Sequence, residues 1–298
     1  MAADTRAAAA TATATPVDAA SARAGRGRRH LALAGRYAEL ALVALVVLFP
    51  LYSAVVVAVQ PIEKLDGLGM LWPSKLTLRP FVDAFRDGHL GHYLVNSFVV
   101  SVAITLGQVV TSILAAYAFA FLRFPAKTFV FVVFLATLMI PSEVAMVANY
   151  ETVQRWGWTD SYASLVVPFL AFAFGTFLLR QAFLGIPRDL ADAAVVDGYG
   201  HLGFLVRVAV PLARPSIAAL GVFSFLGAWN QYLWPLLVTN DDKYRTVQIG
   251  LKQLASSNVI TFNLVMAGTI IAALPIFALL VFFERHLVRG LTAGAVKG

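Results

Sequence analysis

Side chains able to do covalent or acid–base chemistry are sparse in this sequence, and few of them stand together. The chain has no cysteine, which excludes disulfides, thiolate nucleophiles and Cys-ligated metal. No stretch has the Gly-x-x-x-x-Gly-Lys-Ser/Thr spacing of a phosphate-binding loop, so no ATP hydrolysis by this chain is expected. Catalytic residues and metal ligands are accordingly expected to be none. Amides and rings do cluster. Asn230 and Gln231 can bond sugar hydroxyls, and Trp229 and Tyr232 beside them can stack on apolar sugar faces. The same run would equally serve helix–helix hydrogen bonding and an interfacial aromatic belt. Glu143 is a lone carboxylate in an apolar run, suited either to a solute pathway or to snorkelling at the nearby helix end.

These residues sit on elements made for a bilayer. The 298 residues are 59% hydrophobic and 13% charged, where a soluble domain carries about a quarter charged residues. Six apolar runs, near 40–59, 94–122, 128–149, 161–179, 216–238 and 264–283, are each long enough for a helix crossing about 30 Å of hydrocarbon. The expected fold class is therefore all-α and polytopic, with six transmembrane helices. Pro50, Pro141, Pro168, Pro235 and Pro275 lie within five of the runs, which packed membrane helices tolerate. Residues 1–30, Ala/Thr-rich and ending in Arg23, Arg26, Arg28, Arg29 and His30, are expected to be disordered. They make residues 1–39 a basic tail ahead of a membrane domain at 40–298. The first apolar run exceeds a signal-peptide core in length.

The net charge of +7 comes from basic residues spread through short connections, with no stripe interleaved with aromatics, so nucleic acid is not an expected partner. With both termini in the cytoplasm, about two thirds of the Lys and Arg residues fall on the inner side, as the positive-inside rule asks. That orientation puts residues 180–215 inside. This connection is longer than bundles usually need. It reads as a helix from Arg188 to Val196, a turn at Asp197-Gly198-Tyr199-Gly200, a helix from His201 to Val208, then Pro211. Ala193 and Ala194 are small enough for a close approach, Asp192 offers a carboxylate, and Leu202, Leu205 and Val208 recur at helical spacing. Such a piece can dock in a groove of a soluble protein or lie on lipid headgroups. A membrane enzyme would need clustered catalytic groups in the spans, and an ion-coupled carrier intramembrane acids. No expected span holds His, and only Glu143 supplies an acid.

The stretch Asp192-Ala193-Ala194, three residues, Gly198, nine residues, Val208, one residue, Val210-Pro211 resembles the signature of binding-protein-dependent ABC importer permeases. The family pattern is Glu-Ala-Ala, three residues, Gly, nine residues, Ile, one residue, Leu-Pro. Asp192, Val208 and Val210 depart from it, and the shorter Asp192 alters the reach of the charge. Trp72-Pro73, Asn96-Ser97, Phe124-Pro125, the run Trp229 to Pro235 and Val288-Arg289-Gly290 resemble carbohydrate-uptake permeases related to the maltose importer's G-type subunit. Leu138 to Val144, Asp160 to Ala163 and Thr176 to Gln181 are most similar to E-type permeases of sn-glycerol-3-phosphate importers.

The resemblance implies a type I permease in the inner membrane that couples ATP hydrolysis by a partner to solute uptake. It implies four kinds of partner: a second permease, two copies of a cytoplasmic ATPase subunit, an extracytoplasmic solute-binding protein, and the lipid bilayer. This chain itself binds no cofactor in that scheme; ATP and magnesium are used by the ATPase. Asp192, Ala193, Ala194, Asp197, Gly198, Leu202, Leu205, Val208 and Pro211 would couple to the ATPase, and Glu143, Trp229, Asn230, Gln231 and Tyr232 are candidates for the solute pathway. The implied solute is sn-glycerol 3-phosphate or a glycerophosphodiester. The alternative is a neutral di- or oligosaccharide such as maltose or trehalose, because no Lys, Arg or His lies within an expected span. The orientation is directly testable in a chain without native Cys. A Gly200→Cys probe is expected to react with an impermeant maleimide only from the cytoplasmic side, and labelling from outside contradicts the assignment.

Overall fold

A computed structural model describes residues 16–65, 71–86, 88–256 and 262–292. In chain order its α-helices are α1 (Pro16–Ala58), α2 (Arg79–Arg86), α3 (Leu90–Phe121), α4 (Lys127–Ala136), α5 (Ser142–Arg155), α6 (Tyr162–Val166) and α7 (Ala173–Leu184). There follow α8 (Arg188–Val196), α9 (His201–Phe204), α10 (Val210–Leu212), α11 (Arg214–Trp229), α12 (Leu233–Val238), α13 (Val247–Ser256) and α14 (Phe262–Thr292). No strand occurs among the described residues. The chain divides into two compact units, Met1–Ala54 and Val55–Gly298.

The first unit is helical from Pro16 onward, where the sequence suggested a disordered tail to residue 39. Ala and Arg are strong helix formers, and extending a helix from an apolar span avoids the cost of a new nucleus. Residues 1–15 lie outside the described residues. From Leu33 to Ala58 the helix is long and apolar enough to span, and Leu40, Val43, Leu45, Val46 and Phe49 are exposed along it.

The second unit holds the rest. Leu90–Phe121 and Phe262–Glu284 are unbroken helices long and apolar enough to span a membrane. The remaining apolar segments are bent. Lys127–Met139 meets Ser142–Arg155 at 97°, where one straight run over 128–149 was expected. The cause is local: Ile140 precedes Pro141 and takes an extended ψ of 118°, because the proline ring excludes helical backbone there. Tyr162–Phe169 meets Ala173–Leu184 at 45°, with Phe172 extended between them. His201–Leu212 meets Arg214–Trp229 at 80°. The fifth expected run, 216–238, is also interrupted, since α11 stops at Trp229 and α12 restarts at Leu233.

Around α3 pack α7 and α11, and α11 packs on α14. Gly175 makes the first contact close: a Cβ there would lie 2.5 Å from Ser112 Oγ and 2.9 Å from Leu220 Cδ1. Small residues at membrane helix crossings allow this approach. At the Phe121 end of α3, Ala116, Tyr117, Leu179, Phe183, Ala194, Phe204, Leu205, Ala209 and Leu220 form one buried cluster. It joins α8 and α9 to three spans.

The Leu90 end is held by polar bonds. Asn96, 1% exposed, donates to Lys243 O at 2.8 Å and Arg245 O at 2.9 Å, and accepts from Tyr162 Oη at 2.7 Å. Ser97 Oγ accepts from the Val247 N–H at 2.8 Å, which satisfies a first-turn donor of α13. α3 begins at Leu90, earlier than expected, so His92 falls in its first turn, with Nε2 2.9 Å from Lys243 O. Asp160 sits at φ +54°, a conformation Asp tolerates better than most residues. Its carboxylate accepts from the N–H groups of Asn240 and Asp241, and its own N–H donates to Val238 O at 2.9 Å.

Two outcomes follow from these contacts. Leu205 is 3% exposed and Leu202 is 72% exposed, so Leu205→Ala is expected to cost about 2–5 kcal/mol and Leu202→Ala almost nothing, read from thermal unfolding in detergent. At Asp160, the backbone N–H groups hold the carboxyl below the usual carboxylate range. A depressed folded-state pKa contributes stability above the unfolded value and loses it as pH falls through the folded one. The melting temperature of Asp160→Ala is therefore expected to lie below wild type at pH 7, with the gap narrowing below about pH 4. Asp160→Asn, which keeps an acceptor and tolerates the backbone angle, is expected to be milder.

Candidate functional site

The residues with candidate roles fall in two places, the helical loop α8–α10 and a cavity lined from α5 and the break after α11.

The loop is built by a helix stop. After Val196 the Gly198 N–H bonds Val195 O at 3.0 Å and the Tyr199 N–H bonds Ala194 O at 2.8 Å. Gly198 has φ +79° with nothing within 4 Å of a built Cβ. This is a Schellman stop, and its left-handed residue favours glycine for backbone reasons alone. Tyr199 is then covered by Arg207, whose guanidinium carbon lies 4.7 Å from the ring centroid. The following helix contains a π-helical stretch, Leu205–Ala209, in which the Val210 N–H reaches back to Leu205 O. Pro211 supplies a reason: it lacks an N–H and its ring would clash with the carbonyl four residues earlier, so the ladder widens before it.

Of the residues expected to couple, Asp192, Ala193, Asp197, Gly198 and Leu202 are exposed. Val208 and Pro211 are partly buried. Ala194 and Leu205 face the chain's own core, so Leu202 and Leu205 do not share a surface as their spacing suggested. The π stretch and the packing on Tyr117 and Phe183 set the register instead. The sequence reading missed Val195, Val196 and Val206, which are 71%, 87% and 64% exposed. Exposed valine beside an expected docking motif was the available signal. With Leu202, 72% exposed, they give the loop four exposed apolar side chains, near Asp192 and Asp197 in the chain, and Tyr117 Oη lies 3.1 Å from His201 Nδ1.

The second place is a cavity of about 390 Å³ lined by Ser142, Glu143, Met146, Asn149, Phe169, Asn230, Gln231, Tyr232, Leu233 and Trp234. The bend at Pro141 and the break after Trp229 bring Glu143 together with Asn230, Gln231 and Tyr232. Trp229 does not join them, which corrects its placement with the solute pathway. It lies before the break, 2% exposed, donating Nε1–H to Ala272 O at 3.2 Å and stacked on Phe225. Glu143 is exposed in the first turn of α5 and accepts from Ser142 Oγ at 3.1 Å; a carboxylate is favoured there by the helix dipole. Gln231 Oε1 is buried without a hydrogen-bond partner, and such an acceptor calls for an explanation. Trp234, by contrast, donates Nε1–H to Ser164 O and presents only its ring. The lining contains no Lys, Arg or His, and among the described residues no group of three metal-ligating side chains occurs. The arrangement can bond hydroxyls and stack on apolar faces.

Residues 107–293 match the family described as binding-protein-dependent transport system inner membrane component. The sn-glycerol-3-phosphate transport system permease protein UgpE of Brucella abortus (strain 2308) is 37% identical over 257 residues, covering 83% of this chain and 91% of that protein. The protein of the same name from Agrobacterium fabrum is 43% identical over 204 residues, covering 68% of this chain and 72% of that one. Among solved structures, a bacterial ABC transporter involved in the import of the acidic polysaccharide alginate matches with TM-score 0.79 at 19% identity. That match covers 87% of this chain and 97% of that one. A bacterial alginate ABC transporter in complex with an alginate pentasaccharide-bound periplasmic protein matches with TM-score 0.62 at 15% identity. The chain has the type I permease fold and belongs to the binding-protein-dependent transport system inner membrane components, as a permease subunit of an ABC importer.

Proposed function

We propose that this permease takes up sn-glycerol 3-phosphate or a glycerophosphodiester, paired with a second permease and driven by two copies of a cytoplasmic ATPase subunit. Both termini and residues 180–215 face the cytoplasm in this reading, and a solute-binding protein delivers from the other side. The observation that carries it is the set of exposed apolar side chains Val195, Val196, Leu202 and Val206, with the exposed Asp192, on a loop anchored in the core of the spans. An exposed apolar patch next to a charge fits a protein groove. ATP and magnesium act on the partner, and its closure moves α8–α10 to switch the spans between inward and outward access. The names of the relatives support the solute class.

The cavity favours a second reading of the solute. Its amides, its unpartnered Gln231 oxygen and its carboxylate suit a polyol, and no cation in its lining meets a phosphate. A neutral di- or oligosaccharide such as maltose or trehalose would need none. In the phosphate reading this chain holds the glyceryl hydroxyls, and the charge is met elsewhere, by the second permease or by helix N-termini.

Uptake of radiolabelled solute in a deletion strain separates the two. Loss of glycerol phosphate uptake, restored by this gene with its partners, is expected; intact uptake with lost growth on a disaccharide selects the neutral sugar. Gly198→Val is expected to abolish uptake and weaken recovery of the ATPase with the membrane complex while the spans still insert. Asp192→Ala is expected to be mild, since a partly exposed pair contributes about 0–1 kcal/mol, and Asp192→Lys to be worse. Full uptake with undiminished ATPase recovery in all three contradicts coupling through this loop.

A further inference from the structure

The ion pairs of the described residues are Arg79–Asp83, Arg155–Glu151 and Arg245–Asp242. None lies at the Phe121 end of α3. Lys127, Arg180 and Arg188 gather around that end, Arg123 follows Phe121 by two residues, and among the described residues none of the four has a carboxylate within ion-pair distance. Lys127 Nζ donates to Leu122 O at 2.8 Å and to Ala120 O at 3.4 Å. Arg180 Nε donates to Phe119 O at 3.3 Å, and its guanidinium carbon lies 4.2 Å from the Phe131 ring centroid. The charges that act on the Lys127 ammonium are those of Arg180 and Arg188. Arg123 and Arg188 are exposed, with no side-chain hydrogen bond or ion pair among the described residues.

The carbonyls of the last turn of α3 account for part of this, because cations favour a helix C-terminus. They do not account for Arg180 and Arg188 both acting on the Lys127 ammonium, with Arg123 close by in the chain and donors left over. The surface beside them decides what they face. Along α4, starting from Lys127, Phe129, Val130, Val132 and Val133 are exposed at 70%, 44%, 57% and 50%. A ligand reaching both surfaces is anionic at one end and hydrocarbon at the other.

We propose that Arg123, Lys127, Arg180 and Arg188 form a binding site for the headgroup of an anionic phospholipid whose acyl chains lie along α4. Arg180 and Lys127 are held in place by the backbone carbonyls at the end of α3 and the Phe131 face, and Arg123 and Arg188 supply the solvent-exposed cations of the site. Basic pockets between membrane helices recognise lipid phosphates in this way, and each cation near the surface strengthens binding about fivefold. The site rests on the membrane location of the chain and not on the identity of its solute; only the leaflet, the cytoplasmic one, follows from the proposed orientation.

The test uses the complete transporter, purified in mild detergent with phosphatidylglycerol or phosphatidylcholine added, and native mass spectrometry to count retained lipid. Phosphatidylglycerol is expected to be retained selectively. Arg123→Gln/Arg188→Gln, which removes no bond of the fold, is expected to lower that retention by about 25-fold. Arg180→Gln reports on the inner half of the site, and its folding is checked by thermal unfolding. Neither inorganic phosphate nor sn-glycerol 3-phosphate is expected to displace the lipid. Equal retention of both lipids, or unchanged retention in both variants, overturns the proposal. Loss of ATPase recovery in the double variant with lipid retention intact assigns the cluster to the ATPase and overturns it as well. Readout by bound lipid, with uptake unmeasured, keeps this result separate from the fate of the proposed solute.

Discussion

The α8–α10 loop is held to the spans by one apolar cluster, beside the Tyr117–His201 hydrogen bond. Ala194, Phe204 and Leu205 of the loop are buried against Tyr117 of α3 and Leu179 and Phe183 of α7, with Leu220 of α11 in the same cluster. Burial of three such side chains, at about 1.5–3 kcal/mol for each large one, makes separating the loop from the spans far costlier than tilting both together. The ring contacts of Phe121 with Tyr117, Phe183 and Phe204 add directionality. Interiors packed at this density transmit displacement instead of absorbing it. The outward valines are thereby the exposed face of a rigid body whose other face is the membrane bundle.

Prolines shape the other half of the molecule. Pro141 forces Ile140 out of the helix and turns α5 through 97°, and the break after Trp229 places Asn230 and Gln231 between α11 and α12. Irregular backbone at membrane depth is tolerated where it lines a cavity, and the two interruptions line the same one. Pro50 and Pro275 stay inside continuous helices. What distinguishes the breaks is extended or irregular backbone in neighbouring residues, such as Phe172 and Tyr232.

How much of this the sequence carried depends on the range of the interaction. The six apolar runs, the helix–turn–helix at 188–211 and the left-handed turn at Gly198 are consequences of local pattern, and they were legible. So was the grouping of Glu143 with Asn230, Gln231 and Tyr232, though only as a set of chemically apt residues. Their convergence needed the bend at Pro141, and a proline in an apolar run does not declare whether it kinks or breaks. Trp229 was misplaced because a continuous run hides the point where α11 ends. Leu205 was misassigned because helical spacing gives neighbours on a helix and not the side the core takes, and the π stretch shifts that register further. Asn96, Ser97 and Asp160 were visible as motif pieces, but their bonds to residues 240–247 span long sequence separations.

The central claim is that loop and spans move as one body. Its most direct measurement is the distance between spin labels at Gly200→Cys and Leu114→Cys, both exposed positions, in the assembled transporter with and without ATP. The account predicts one distance distribution, unshifted between the two states. A distribution that shifts or splits on ATP binding would mean that the loop hinges on the spans, and would contradict rigid transmission through Leu205.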